Sequence, residues 1–289
     1  MDGPAGAHVT RAANATRCAD TMNGRQQDGP GSSELSEYLE RPLAPPSAEV
    51  LEAIARGPID PADALALADV ERLLDPAPLQ VETGWCTLPD GVGHVAVRTA
   101  MPAVSGEMVD WWFDWHPRDS MRYRVWHPAA HRANSLQPPA HRGAKAYWGA
   151  VHHPVEDVSI GVVHARIEFR RPSEMGFSSD ALEDARVATI VCGYVGDDRR
   201  HVRHTPMYHV FLREGDGVVL RSRFWLGAAM RPYGPAGALG ERLLNNGRVR
   251  RAALPARLPH ALATHCAEEY ANLAALLPEL YARFGPTGS

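Results

Sequence analysis

Between residues 258 and 281, apolar side chains recur at three- and four-residue steps, at Leu258, Leu262, Leu273, Leu276 and Leu280. That spacing is one buried face of a long helix. His265 and Glu269 fall on the same face, one turn apart and aimed the same way. A buried carboxylate without a partner is costly, so a chain that buries this face must find Glu269 a partner, and a metal ion is the economical one. Two nitrogen or oxygen ligands from one helix are half of a zinc-type site, the rest coming from elsewhere in the chain. A buried His-Glu hydrogen bond or a partly solvated helix edge is the alternative reading of the motif alone.

A chain of 289 residues with 45% hydrophobic content is long enough for one large domain with a real core. Lysine and arginine total 30 against 34 acidic residues, and a net charge of −4 gives no reason to expect nucleic acid or an anionic membrane surface as partner. Lys145 is the only lysine; the arginine bias, with abundant Ala and Pro, reads as coding bias rather than as recognition. No run of about 18 apolar residues exists, and the N-terminus lacks the order of a signal peptide, so a cytoplasmic location is expected. Cys18, Cys86, Cys192 and Cys266 lie far apart with no C-x-x-C pair, which argues against a disulfide framework or a cysteine zinc knuckle. Fourteen histidines are many for this length and are a second pointer to metal or acid-base chemistry.

Residues 1–33 lack periodicity and read as a disordered tail. Residues 34–80 read as a helical appendage, with Ser47 capping a helix whose stripe is Val50, Leu51 and Ile54, and a second short helix over 61–74. From residue 81 the texture becomes β-rich: residues 93–101, 150–169, 188–194, 206–213 and 218–226 read as strands, and Gly215-Asp216-Gly217 as the turn of the last hairpin. Ser105 caps a helix running to Trp115, and the cluster Trp111, Trp112 and Trp115 is either core or a dimer contact. An antiparallel sheet closed by one long C-terminal helix is an α+β arrangement with room for a ligand inside.

Three further segments carry chemistry. Residues 121–134 hold Tyr123, Trp126, His127, His131 and Asn134 and read as a loop between Asp119-Ser120 and Pro138-Pro139. His152-His153-Pro154-Val155-Glu156-Asp157 brings carboxylates that complete a mixed His/Glu sphere, while His152 and His153 themselves read as ordinary residues at the start of a strand, and Glu168 as solvated. His209 sits in an apolar strand where alternation puts it on the face opposite Tyr208.

Taken together, Trp85-Cys86 with Leu88-Pro89-Asp90-Gly91, the Trp-rich block 111–116, the Tyr-x-x-Trp-His-Pro-x-x-His segment and the final His-x-x-x-Glu resemble the 2,4-diacetylphloroglucinol hydrolase and phloretin hydrolase family over about residues 80–285. The resemblance implies a Bet v 1-like helix-grip domain over 81–289 behind the helical appendage. It also implies a Zn2+-dependent hydrolase that cleaves the carbon-carbon bond between an acyl group and a phloroglucinol ring. Carried over residue by residue, the metal ligands are His131, Glu156, His265 and Glu269. His131 is preferred to His127 because the family places a substrate-contacting tyrosine eight residues before this ligand and an asparagine three after it, matching Tyr123 and Asn134. Asp157 is the alternative to Glu156 in the neighbouring strand register. His209 falls on the catalytic histidine, and Phe224 stands where the family binds the substrate through a tyrosine.

The implied partner is a small acylated polyphenol, with a homodimer as the expected assembly. Hydrolysis of such an aryl ketone needs an attacked carbonyl and a protonated ring carbon, and His209 is the natural general acid/base. The rival readings are a helix-grip protein that binds an aromatic polyketide without turnover, which needs no stoichiometric zinc, and a metal enzyme performing another polyketide reaction.

Overall fold

A computed structural model describes residues 32–286 except 142 and 236. The expected tail lies outside the described residues as far as 31, and the first helix, α1 (Ser32–Glu40), already begins at Ser32. It is followed by α2 (Ala48–Ala55), where the Ser47 hydroxyl accepts the Val50 amide as the sequence predicts. Ile54 is buried there, whereas Leu51, expected on the same stripe, is exposed. The single helix expected over 61–74 is instead two 3₁₀ pieces, Pro61–Asp63 and Leu67–Leu74, separated by extended backbone at Ala64 and Ala66 and kinked at Asp69. Packing decides this segment: Val70, Leu73 and Leu74 are drawn onto the sheet behind them.

The sheet begins with β1 (Gly84–Thr87) and β2 (Gly93–Met101); then come α3 (Gly106–Trp115), α4 (Ser120–Trp126), β3 (His131–Ala133) and β4 (Leu136–Gln137). Residues 121–134 are thus not the expected loop. Asp119 accepts the Met121 amide at 2.7 Å and starts a helix that carries Tyr123 and Trp126. The strand expected over 150–169 is three strands, β5 (Val151–His152), β6 (Val155–Asp157) and β7 (Val162–Arg170). Pro154, which has no N–H to donate, separates the first two, and a turn with Ser159 and Gly161 at positive φ separates the last two. After α5 (Ser179–Leu182) come the long strands β8 (Val187–Asp197), β9 (Val202–Glu214) and β10 (Gly217–Leu226), then β11 (Arg231–Pro232), α6 (Gly237–Leu244), α7 (Gly247–Ala253) and α8 (Leu258–Phe284). Gly215, at φ +59°, makes the two-residue hairpin turn between β9 and β10.

Every strand pairing is antiparallel, and the main path runs β1-β2-β10-β9-β8-β7-β5-β4, with β6 joining β7 to β3. Alternation sorts the side chains. On β9, Met207, His209 and Phe211 face inward toward α8, while Tyr208, Val210 and Leu212 face outward. The outer face is covered by the 3₁₀ segment and by Met175 and Phe177. Two buried arginines of β10 fasten that cover: Arg221 donates to the carbonyls of Leu73, Asp75 and Ala77 and to Glu82, and Arg223 to the carbonyl of Val81.

The inner face and α8 enclose the larger core, to which α1 contributes Leu35 and Tyr38. Tyr38 donates to Glu279 at 2.9 Å, and Arg41 is paired with the same carboxylate at 2.7 Å, so the N-terminal helix is clamped to α8. Trp112 and Trp115 are buried in this core, and Trp111 stacks on Trp115 at 4.9 Å, so within the chain the cluster serves packing. Glu168, expected to be solvated, is paired between Arg166 and Arg170. Among the described residues, no helix is long and apolar enough to cross a membrane.

Candidate metal centre and cavity

Four side chains from three separate elements converge between the sheet edge and α8. His131 begins β3, Glu156 lies directly opposite it in β6, and His265 and Glu269 extend from α8 one turn apart. The Nε2 of His131 is 3.6 Å from both Glu156 Oε2 and Glu269 Oε2, and the Nε2 of His265 is 3.8 Å from the same two oxygens. His131 donates from Nδ1 to the Tyr123 carbonyl at 3.1 Å, which leaves its Nε2 as a lone pair facing the cluster. Among the described residues neither His131 Nε2 nor His265 Nε2 has a hydrogen-bond partner, although both are buried.

These residues fit a metal ion. Two unpartnered imidazole nitrogens and two carboxylates are a donor set suited to zinc and neighbouring divalent ions. Around bonds of about 2.0–2.1 Å the ligand atoms of a tetrahedral site lie roughly 3.4 Å apart; the four His–Glu separations are within a few tenths of an ångström of that, and His131, His265 and Glu269 form the tightest group, with ligand atoms all within 4.8 Å of one another. Electrostatics point the same way: burial pushes the Glu269 carboxyl up to about 8, with His265 opposing the rise and Glu156 adding to it. A cation at the centre removes that penalty. Burial also holds His131 down to about 4, the neutral form a ligand must have.

The neighbouring candidates fall outside the cluster. His127 accepts the Ala130 amide on Nδ1 at 3.2 Å and turns Nε2 toward Glu268 at 3.3 Å, so both ring nitrogens are occupied. Asp157 is paired with Arg132 and accepts the Ser159 amide, pointing away while Glu156 points in.

Tyr123 does something that its sequence reading missed. Its hydroxyl donates a short hydrogen bond to Glu156, and its ring lies flat on His131 with centroids 4.0 Å apart. It therefore holds two of the four converging side chains. Removing the hydroxyl in Tyr123→Phe is expected to weaken metal binding by about 10- to 100-fold, the usual cost of losing a partner that orients a ligand. Chelator competition reads this directly, and an unchanged affinity would free Tyr123 from that task.

The cluster forms one wall of a cavity of about 480 Å³, within the range of small-molecule sites. His209 lines it, with Nδ1 2.8 Å from the Ser222 hydroxyl and its ring against Tyr270 and Phe224. Burial holds His209 down to about 3, so it is neutral at physiological pH. Asn134 also lines the cavity, its Oδ1 buried without a partner, and Phe224 contributes an apolar ring. All the substrate-side residues singled out in the sequence thus share this one chamber.

Four residues escaped sequence reasoning. His152 is not an ordinary residue at the start of a strand: it is buried on the cavity wall against Phe169, with Nε2 unpartnered. His116 stands beside it, donating from Nδ1 to the Trp112 carbonyl at 2.7 Å, and burial keeps it neutral, down to about 3. Tyr270 and Ser222 are the others. A signal for Ser222 did exist, because counting back from the Gly215-Asp216 turn sets it opposite His209.

Fold and site define a class: an α+β protein whose antiparallel sheet and terminal helix enclose a cavity with a buried His/Glu cluster. Comparison with known proteins gives the family. Residues 65–282 match the model of the DAPG hydrolase PhiG domain, and the chain belongs to that family. Phloretin hydrolase of Eubacterium ramulus is 30% identical over 259 residues, covering 85% of this chain and 88% of that protein. A 2,4-diacetylphloroglucinol hydrolase of Pseudomonas protegens is 30% identical over 275 residues, covering 90% and 88%. Among solved structures, a Chromobacterium violaceum protein superposes with a TM-score of 0.35 at 10% identity, covering 66% of this chain and 99% of that one.

Proposed function

We propose that this chain is a zinc-dependent hydrolase cleaving the carbon-carbon bond between an acyl group and a polyhydroxylated aromatic ring, as in acylphloroglucinols or phloretin. The observation that carries the proposal is the convergence of His131, Glu156, His265 and Glu269 on the wall of an aromatic cavity that also holds His209. The relatives named as phloretin and 2,4-diacetylphloroglucinol hydrolases support the substrate class. Zinc, when bound, would polarise the acyl oxygen or lower the pKa of a water toward neutrality.

The chain's own residues do the rest. In the net reaction, water gives its OH to the acyl carbon and a proton to the ring carbon, releasing a carboxylic acid and the deacylated phenol. His209, neutral and tethered through Nδ1 to Ser222, is positioned to carry that proton on Nε2. Asn134 takes a ring hydroxyl on its unpartnered Oδ1. The cavity lining also includes Val163, Leu226, Met230, Leu254, Leu258 and Leu262, apolar side chains suited to an acyl chain. The long α8 against an antiparallel sheet favours the Bet v 1-like helix-grip description, with residues 34–80 as appendage and 81–289 as the catalytic unit. A cytoplasmic location and a homodimer complete the proposal, the dimer being read by light scattering on the purified protein.

Incubating the metal-loaded protein with acylphloroglucinols and phloretin, and following the aryl ketone absorbance, tests the activity. Binding without any loss of the ketone would return the protein to the class of carriers.

Phe224 sets a further expectation. With an apolar ring at this position, the pocket favours a bulkier aryl-alkyl ketone over a small diacetylated ring. Phe224→Tyr restores a hydroxyl worth about 0.5–1.5 kcal/mol as a net hydrogen bond, and the ratio of kcat/KM for 2,4-diacetylphloroglucinol over phloretin should rise by roughly 2- to 12-fold. An unchanged ratio would take Phe224 out of contact with the ring.

A further inference from the structure

Resting on that substrate reading, we infer that Tyr270 is a substrate-reading residue, its hydroxyl donating a hydrogen bond to an oxygen of the polyhydroxylated ring. Tyr270 is fully buried on α8, immediately after Glu269, and lines the cavity. Its ring is wedged between Trp126, at 5.3 Å, and His209, at 4.8 Å. Its hydroxyl has no hydrogen-bond partner among the described residues.

Other donors around the chamber are already taken. The Tyr123 hydroxyl is committed to Glu156, the Trp126 indole N–H to the Glu269 carbonyl at 2.8 Å, and His116 Nδ1 to the Trp112 carbonyl. Tyr270 carries the tyrosine hydroxyl that remains uncommitted. A buried phenol left unpaired is costly, and a phenylalanine would have filled the same aromatic slot without that cost. The hydroxyl therefore has its partner in the ligand. The ring that carries it packs against His209, the group proposed to handle the ring proton, and a ring bearing several oxygens is the ligand that can present one to this hydroxyl.

The test compares binding of two rings that carry no acyl group and cannot be cleaved, phloroglucinol with three hydroxyls and resorcinol with two. Calorimetry is run on the metal-loaded wild type and on Tyr270→Phe, with metal content and Tm recorded for both. The wild type is expected to prefer phloroglucinol by about three- to tenfold, the net worth of one hydrogen bond. In Tyr270→Phe the third hydroxyl finds no partner, and the preference should fall to within about twofold of unity. Because the substitution removes only an unpaired hydroxyl, Tm and metal content should stay at or above wild type. A preference that persists in the variant, or is absent from the wild type, overturns the inference while leaving the substrate class standing. Wild type that binds neither these rings nor an acylphloroglucinol overturns both.

Discussion

Replacing His265 by alanine should strip the protein of metal, taking elemental analysis from near one ion per chain to below roughly a tenth of that, with activity lost in parallel. The magnitude follows from how the site is assembled. Two imidazoles and two carboxylates share the centre, and the variant keeps only three of these four donors in a pocket whose burial already pushes the Glu269 carboxyl up to about 8. A vacancy at 265 also opens the sphere to water on the helix side. Glu268→Gln is the control: its carboxylate faces His127 and is half exposed, so its loss should leave the metal in place. Metal retained in His265→Ala, or lost equally in Glu268→Gln, would disprove a site built on this pair.

The helix half of this site could be read from sequence because α8 has one long period, and Leu273, Leu276 and Leu280 are buried as their spacing demands. Leu258 and Leu262, on the same stripe, instead border the cavity, which tells where the packed part of the helix ends and the chamber begins. The other half was not legible in the same way. His131 and Glu156 sit in strands of three residues each, paired across a register shift. So short a strand has no periodicity to choose between Glu156 and Asp157, and only the family resemblance favoured the former.

Tyr270 was missed for the opposite reason. The buried face of the helix is broad, packed by the sheet on one side and by α4 on another, where Asn272 donates to the Trp126 carbonyl at 2.8 Å. A reading that assumes a single buried stripe has no place for a functional group just off it. The covering of the outer sheet face by residues 65–79 was likewise hidden. It depends on Arg221 and Arg223 reaching backbone carbonyls about 140 residues away, and carbonyls leave no mark in the sequence.

His209→Ala is expected to retain metal and fold but to lose about 100-fold or more in kcat, the scale of a positioned general acid/base. Three features separate this from a structural role. The ring touches the cavity, it is tethered through Nδ1 to Ser222, and among the described residues no other group is hydrogen-bonded to it. Neutral His209 can take a proton in one half of the cycle and return it to ring carbon in the other, which a permanently charged group could not do. The low value in the ligand-free cavity, about 3 and set by burial, also fixes the sign of its effect on stability. A histidine depressed in the folded state and near 6.5 when unfolded costs nothing above that pH and destabilises as pH falls from about 6.5 toward 3. His209→Ala should therefore flatten part of the acid side of the stability curve while abolishing most turnover. Ser222→Ala, which leaves the ring but frees its Nδ1, should lower kcat by less and shift the pH profile, since only the orientation and tautomer of the imidazole change. Near-normal turnover in His209→Ala, with metal content intact, would move the proton-transfer step to another group on the cavity wall.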